Sequence, residues 1–192
     1  MIIESVALLI GLAAIALVFG YTLRTGSPPT PTSPRVCRAM MSVLPRRLPR
    51  GDGGGEIYEL GSGWGGNAIT LAATFPNHHI TGIELSPIPW LVARLRLIGR
   101  QRSNVSFVRG DFLTCDLSDA ALVVCYLAGA QMISLRPKLE ADLAPGSLVL
   151  THTFAMPGWQ PLDTVHADDI YRSPVYLYEL SGAVASDNHV TT

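Results

Sequence analysis

From residue 56 onward the chain alternates short strand-like runs with helical spacings, and this alternation limits its fold more than any other feature. Residues 56–60 (EIYEL), 79–85 (HITGIEL), 104–108 (NVSFV), 120–127 (AALVVCYL) and 147–154 (SLVLTHTF) carry the apolar and β-branched content of strands. Between them lie helical stripes. Ile69, Ala72 and Phe75 share a face within 66–75, and Leu91, Leu95 and Ile98 within 87–102. A further helix is expected over 131–143, stopped by Ala144-Pro145-Gly146. The run at 120–127 is apolar almost without a break, as in a strand covered on both faces. Such alternation predicts an α/β fold: a doubly wound, mostly parallel sheet with helices on both sides. The end of the chain departs from the pattern. Residues 161–166 (PLDTVH) and 175–180 (VYLYEL) are strand-like with no helix between them. A seven-stranded sheet closed by a C-terminal antiparallel hairpin is therefore expected, followed by a flexible tail over 182–192.

The N-terminal part has a different character. Residues 5–23 (SVALLIGLAAIALVFGYTL) contain no charge. As a helix they span roughly 28 Å, close to the hydrocarbon thickness of a bilayer. A cleaved signal peptide would need basic residues before the apolar run, yet Glu4 stands there, and no small-x-small site follows. One transmembrane helix is expected. Arg24, Arg35, Arg38, Arg46, Arg47 and Arg50 follow it, which sets the N-terminus outside and the remainder on the cytoplasmic side of a single-pass membrane protein. Residues 26–34 (GSPPTPTSP) then exclude helix and read as an extended polyproline spacer of up to about 28 Å. Val36, Met40, Val43 and Leu44 give a short helix over 35–44, and 45–55 is a loop rich in Gly and Pro. The expected organisation is an anchor at 1–25, a linker with a pre-core helix at 26–55, and a folded domain at 56–181.

The first strand runs into Glu59-Leu60-Gly61-Ser62-Gly63-Trp64-Gly65-Gly66. Glycines permit a tight turn and close approach of a ligand, and the helix that follows presents free N–H groups. In doubly wound sheets this is where ligands sit. Glu84 ends the second strand, where a carboxylate can accept from a ribose diol. Asp111, just past the third strand, can accept from the amine of an adenine. The loop fits the dinucleotide fingerprint Gly61-x-Gly63-x-x-Gly66, but two features oppose a dinucleotide. A carboxylate at Glu59 repels a pyrophosphate and suits a ligand with a cationic end, such as the amino group of S-adenosylmethionine. The terminal hairpin is the second.

Other chemistry lacks support. A net charge of −1 gives no basic field for nucleic acid. Cys37, Cys115 and Cys125 form no CxxC, and His78 and His79, adjacent on a strand, would face opposite ways, so no metal site is expected. Gly61-Ser62-Gly63 lacks the spacing of a nucleophile elbow. Arg94, Arg96, Arg100 and Arg102 spread around one helix, which reads as a solvated face or as a contact with anionic lipid.

Acidic-x-Gly-x-Gly-x-Gly, a second-strand Glu and a third-strand Asp together resemble the class I S-adenosylmethionine methyltransferases. A narrower resemblance covers about residues 28–180. PPTPTSPRVCRAMM (28–41), ELGSG (59–63), GIELSPIPWLV (82–92), Tyr126-Leu127, SLRPKLEADLAPGS (134–147), His152-Thr153-Phe154 and Trp159-Gln160-Pro161 are similar to segments of the membrane-anchored protein-lysine methyltransferases. These comprise the ATP synthase c-subunit and adenine nucleotide translocase lysine methyltransferase family with its archaeal relatives. Two departures stand out: Trp64-Gly65-Gly66 replaces a usual Asp-Gly-Arg, and Pro29 occupies a usually aromatic position. The resemblance implies a Rossmann-like fold, S-adenosyl-L-methionine as cofactor, and N-methylation of a lysine in a protein substrate, in particular a membrane protein. It implies no metal and no nucleic acid. It places Glu59, Gly61, Ser62, Gly63, Gly65, Glu84, Leu85, Asp111 and Phe112 around the cofactor.

The amine of a lysine must lose its proton before it can act as a nucleophile, and a desolvated pocket beside a sulfonium favours that loss. Tyr126, at the end of the fourth strand, is the expected catalytic residue, walling and orienting the amine. His152 and Trp159 read as core or hairpin packing, and Trp64 as a cover for the cofactor or a solvent-facing ring. Two other readings stay open at this point: a membrane-anchored nicotinamide-dependent oxidoreductase, and a non-catalytic membrane assembly factor on a methyltransferase scaffold.

Overall fold

The structure, a computed structural model, describes residues 2–26, 28–49, 54–99 and 103–181. Helix α1 (Ile2–Thr25) carries Glu4 in its first turn and Arg24 in its last. Over Ile2–Arg24 its best window reaches a mean hydropathy of 2.6, with none of it buried in the protein, so length and composition suffice to cross a membrane. Ala14, Val18, Tyr21 and Thr22 are partly covered, and the helix packs on α4 (Pro87–Leu95). Tyr21 Oη accepts from Arg109 Nη2 at 3.3 Å.

Helix α2 (Pro34–Val43) begins where a proline fits the first turn and Ser33 Oγ accepts from Val36 N. It buries Val36 and Met40, one turn apart, against the sheet and α3 (Gly66–Thr74). The sheet comprises β1 (Glu56–Leu60), β2 (Ile80–Glu84), β3 (Val105–Arg109), β4 (Ala120–Cys125), β5 (Leu148–His152), β6 (Asp163–His166) and β7 (Pro174–Glu179), in the order β3-β2-β1-β4-β5-β7-β6. The first five are parallel, and β7 runs antiparallel between β5 and β6. The expected doubly wound sheet with its closing hairpin is what forms. All six residues of β4 are buried, as a strand covered on both faces requires. One apolar cluster lies under α2, α3 and α4; the other lies under α5 (Gly129–Asp142), around Leu135, Leu139 and Val149.

Register fixes the site. Leu60 pairs with Cys125 and with Ile83, so β1, β2 and β4 end level with one another. The chain winds outward from β1 to β3, then returns to β4 on the other side. The reversal between β1 and β4 opens the crevice used by doubly wound folds.

Some boundaries differ from expectation. α4 ends at Leu95 with turns through Gly99, and the remainder of the expected helix at 100–102 lies outside the described residues. His78 and His79 precede β2 instead of lying on it, the former against the Gly55 carbonyl and the latter against Ser106 Oγ. α5 starts at Gly129, two residues early, because Gln131 Oε1 accepts from Ala128 N and closes the first turn. The expected tail at 182–192, and residues 27 and 50–53 of the linker, fall outside the described residues.

Candidate active site

A cavity of about 880 Å³ opens at the carboxyl ends of β1, β2 and β4. Glu59, Gly61, Ser62, Gly63, Glu84, Leu85, Asp111, Phe112 and Tyr126 all line it. Gly65 departs from expectation: it is buried away from the cavity, and a side chain there would meet the Phe107 ring at 2.5 Å and Ala93 Cβ at 2.9 Å. Its φ of +76° supplies the turn into α3. Gly63, at φ +52°, is the opposite case, since a Cβ there would enter open space.

Each acid has its own setting. Glu59 is 4% exposed and its Oε2 accepts from Ala68 N at 2.9 Å, in the first turn of α3. Burial pushes its carboxyl up to about 8, against the opposing pull of the bonds from Ala68 and Asn67, and the nearby Glu84 adds to the rise. Glu84 binds the loop to the sheet: Oε2 accepts from Gly63 N at 2.8 Å and Oε1 from Ser86 N at 2.7 Å. Each oxygen retains a lone pair for a ligand hydroxyl. Asp111 is exposed, with Oδ1 accepting from Leu113 N. Among the described residues, Ser62 Oγ is a buried side-chain oxygen without a hydrogen-bond partner, and it stands on the cavity wall.

The proline segment forms the opposite wall. Thr30 N donates to the Pro28 carbonyl at 2.8 Å, a three-residue turn, so the segment folds over the site where a straight spacer was expected. Pro28, Pro29, Pro31 and Thr32 line the cavity. Trp64 is half-buried on the cavity wall: its Nε1 donates to the Pro29 carbonyl at 2.6 Å, and its own carbonyl accepts from Arg96 Nη1 at 2.6 Å. Arg94 lies over the Trp90 ring at 5.2 Å, so two of the arginines expected on a solvated face have protein partners. Tyr126 is half-buried, with its ring stacked on His152 at 4.1 Å and 22°. Trp159 packs edge-on against Tyr178, in line with a hairpin-packing role. Asn67 and Thr32 were not among the expected site residues. A polar side chain in the first turn of the loop-following helix was the available signal for Asn67.

These features suit S-adenosylmethionine. Three carboxyl groups complement its cationic end and its hydroxyls, the α3 N-terminus complements its carboxylate, and Ser62 Oγ is an unused donor and acceptor inside the loop. Among the described residues no cluster is suited to a metal ion.

Comparison with known proteins gives the same picture. The chain is 32% identical over 154 residues to a protein-lysine N-methyltransferase of Saccharolobus islandicus, covering 79% of this chain and 92% of that one. It is 30% identical over 164 residues to the adenine nucleotide translocase lysine N-methyltransferase of Mus musculus, covering 84% of this chain and 66% of the mouse protein. Among solved structures, an RNA methyltransferase of Salinibacter ruber in complex with S-adenosyl-L-homocysteine superposes with a TM-score of 0.70 at 31% identity, covering 82% of this chain and 98% of that one. A family model described as the ANTKMT methyltransferase domain matches residues 59–163, over half of the 192 residues. The chain belongs to the ANTKMT methyltransferase family.

Proposed function

We propose that this protein is an S-adenosylmethionine-dependent protein-lysine N-methyltransferase that acts on a membrane or membrane-proximal protein. The observation that carries the reading is the convergence of Glu59, Glu84 and Asp111, from three successive strands, on one cavity that also contains Tyr126. The cofactor supplies a methyl group already activated by its sulfonium charge. Glu84 holds the ribose hydroxyls while keeping the loop in place through Gly63 N and Ser86 N. Asp111 and Phe112 hold the adenine, the first by hydrogen bonding and the second by ring contact. Leu85, Ser62 and the loop glycines close around the sugar. Glu59 faces the amino group, where a cation favours its ionised form.

The target lysine enters between Tyr126 and the proline segment. Its neutral amine is the nucleophile, and the dry aromatic wall favours loss of the ammonium proton to water before transfer. Tyr126 walls the amine with its ring and orients it with its hydroxyl. Residues 1–25 act as the anchor, 26–55 as the segment that roofs the site and seats α2, and 56–181 as the catalytic domain. Arg24, in the last turn of α1, lines the same cavity, so the mouth lies at the point where the helix leaves the bilayer. The arginines after α1 set the domain on the cytoplasmic side. The net charge of −1 argues against an RNA substrate.

The test incubates the full-length protein in membranes of its own cell with methyl-labelled S-adenosylmethionine. Labelled protein bands are expected, with methyl-lysine on hydrolysis, and Glu84→Gln should remove them. Labelling by Glu84→Gln at the wild-type level overturns the ribose assignment, and label confined to RNA overturns the substrate class.

A further inference from the structure

A chain of polar side chains links α3 to the end of β5 through the proline segment. Asn67 lies in the first turn of α3 and hydrogen-bonds to Glu59. Its Nδ2 also donates to Thr32 Oγ1 at 2.9 Å. Thr32 Oγ1 lies 3.3 Å from His152 Nε2, across 120 residues of sequence. His152 is 3% exposed and its ring is the stacking partner of Tyr126. Its other nitrogen, Nδ1, lies 3.2 Å from Thr153 Oγ1. Thr153 has a φ of +68°, a left-handed conformation that costs a β-branched residue about 1–2 kcal/mol. Its N–H donates to the Pro174 carbonyl, which holds the turn at the start of β7.

One set of directions gives every group in the chain a partner: Thr32 Oγ1 receives the Asn67 N–H and gives its own proton to His152 Nε2. Nε2 is then the acceptor and Nδ1 carries the proton, which it donates to Thr153 Oγ1. A doubly protonated ring would turn Nε2 into a donor and reverse this direction. Burial holds the imidazole down to about 4, which keeps it neutral. The left-handed backbone at Thr153 accompanies the placement of its hydroxyl beside Nδ1.

We propose that Asn67, Thr32 and His152 form a positioning relay in which His152, neutral and protonated on Nδ1, holds the Tyr126 ring against the amine pocket and ties it, through the proline segment, to the acid that faces the cofactor. His152 is a positioning residue and takes no proton from the amine. The relay spans three separated parts of the chain, so the aromatic wall is set only when the proline segment is seated and α3 is in register with β1. This rests on the reading of Tyr126 as the wall of the lysine site.

The test uses the full-length protein in detergent or nanodiscs. Thr32→Val keeps the shape and removes the hydroxyl. It is expected to lower kcat/KM for the protein substrate about tenfold or more, as displaced positioning groups do. Thr32→Ser is expected to restore the loss. On the wild-type protein, nitrogen-15 spectra of the histidine rings, with His152 assigned through its contact with Tyr126, should show a neutral ring protonated on Nδ1 down to about pH 5. Wild-type kcat and KM in Thr32→Val, a proton on Nε2, or a charged ring at about pH 6 each overturn the relay. If Thr32→Val fails to fold, the ring spectra and the Thr32→Ser kinetics still decide. If the wild-type protein binds no S-adenosylmethionine, the functional reading fails and the spectra alone decide the relay.

Discussion

Glu59 is the side chain whose chemistry is most shaped by its surroundings. Buried at the end of β1, it has a carboxyl raised from the ordinary 4.5 to about 8, with loss of water as the main cause. Without a cation beside it, the carboxyl is largely protonated at neutral pH. A cationic ligand favours the carboxylate, so binding draws the value down and releases a proton. Affinity for S-adenosylmethionine is expected to rise with pH up to about 8. Titration calorimetry near neutral pH, in buffers of unlike ionisation heat, should record proton release, and identical heats would refute it. The same shift has the opposite sign for the empty fold. Between about 4.5 and about 8 the unfolded chain binds fewer protons than the native one at this group, so its contribution to stability declines as pH rises. His152, held near 4 against an ordinary 6.5, contributes stability above 6.5 that is lost as pH falls toward 4.

At the scale of elements, the close contact between α4, β3 and the cofactor loop depends on Gly65. A methyl at this position meets Phe107 and Ala93 and must also adopt a φ of +76°. Gly65→Ala is expected to destabilise the protein by about 2–4 kcal/mol, from overpacking and a left-handed non-glycine residue together. Thermal unfolding measures this, and an unchanged Tm would contradict the packing described. The loop glycine that lines no cavity is thus the one with the least room, whereas Gly63, beside the cavity, faces open space. Their spacing in the sequence made both equal candidates. The difference arises from Phe107, which lies on β3 some forty residues away. The strands themselves were legible, because an alternating or continuous apolar run leaves few alternatives. The ends of helices were less so. α4 stops at Leu95, and Arg96 just beyond it reaches the Trp64 carbonyl, a contact with no local signature.

For the whole molecule, the proposed relation of the domain to a bilayer depends on α1. Between Val6 and Leu23 its exposed side chains are almost all apolar, and the partly covered ones lie in its second half. Replacing Leu12 and Ile15 by lysine puts two charges near mid-span, at about 2.5–3.5 kcal/mol each on insertion scales. The variant is expected to leave the membrane on alkaline carbonate washing, whereas the wild type stays. A wild-type protein released by the same wash would refute the anchor. Protease protection of tags at the two ends reads the sidedness, with the C-terminal domain expected on the cytoplasmic face.

The sequence by itself determined the strand and helix order, the glycine turn after β1 and the acids at three successive strand ends. Each is a local pattern, set by the two-residue period of a strand, the 3.6-residue period of a helix and the permissiveness of glycine. Only the tertiary structure decided that the proline segment folds back over the cavity, that Trp64 fastens it through the Pro29 carbonyl, and that Thr32 meets both Asn67 and His152. Those contacts join residues 35 and 120 positions apart. No periodicity records them, because they arise only when a level sheet edge brings separate strand ends and the folded-back segment to one place.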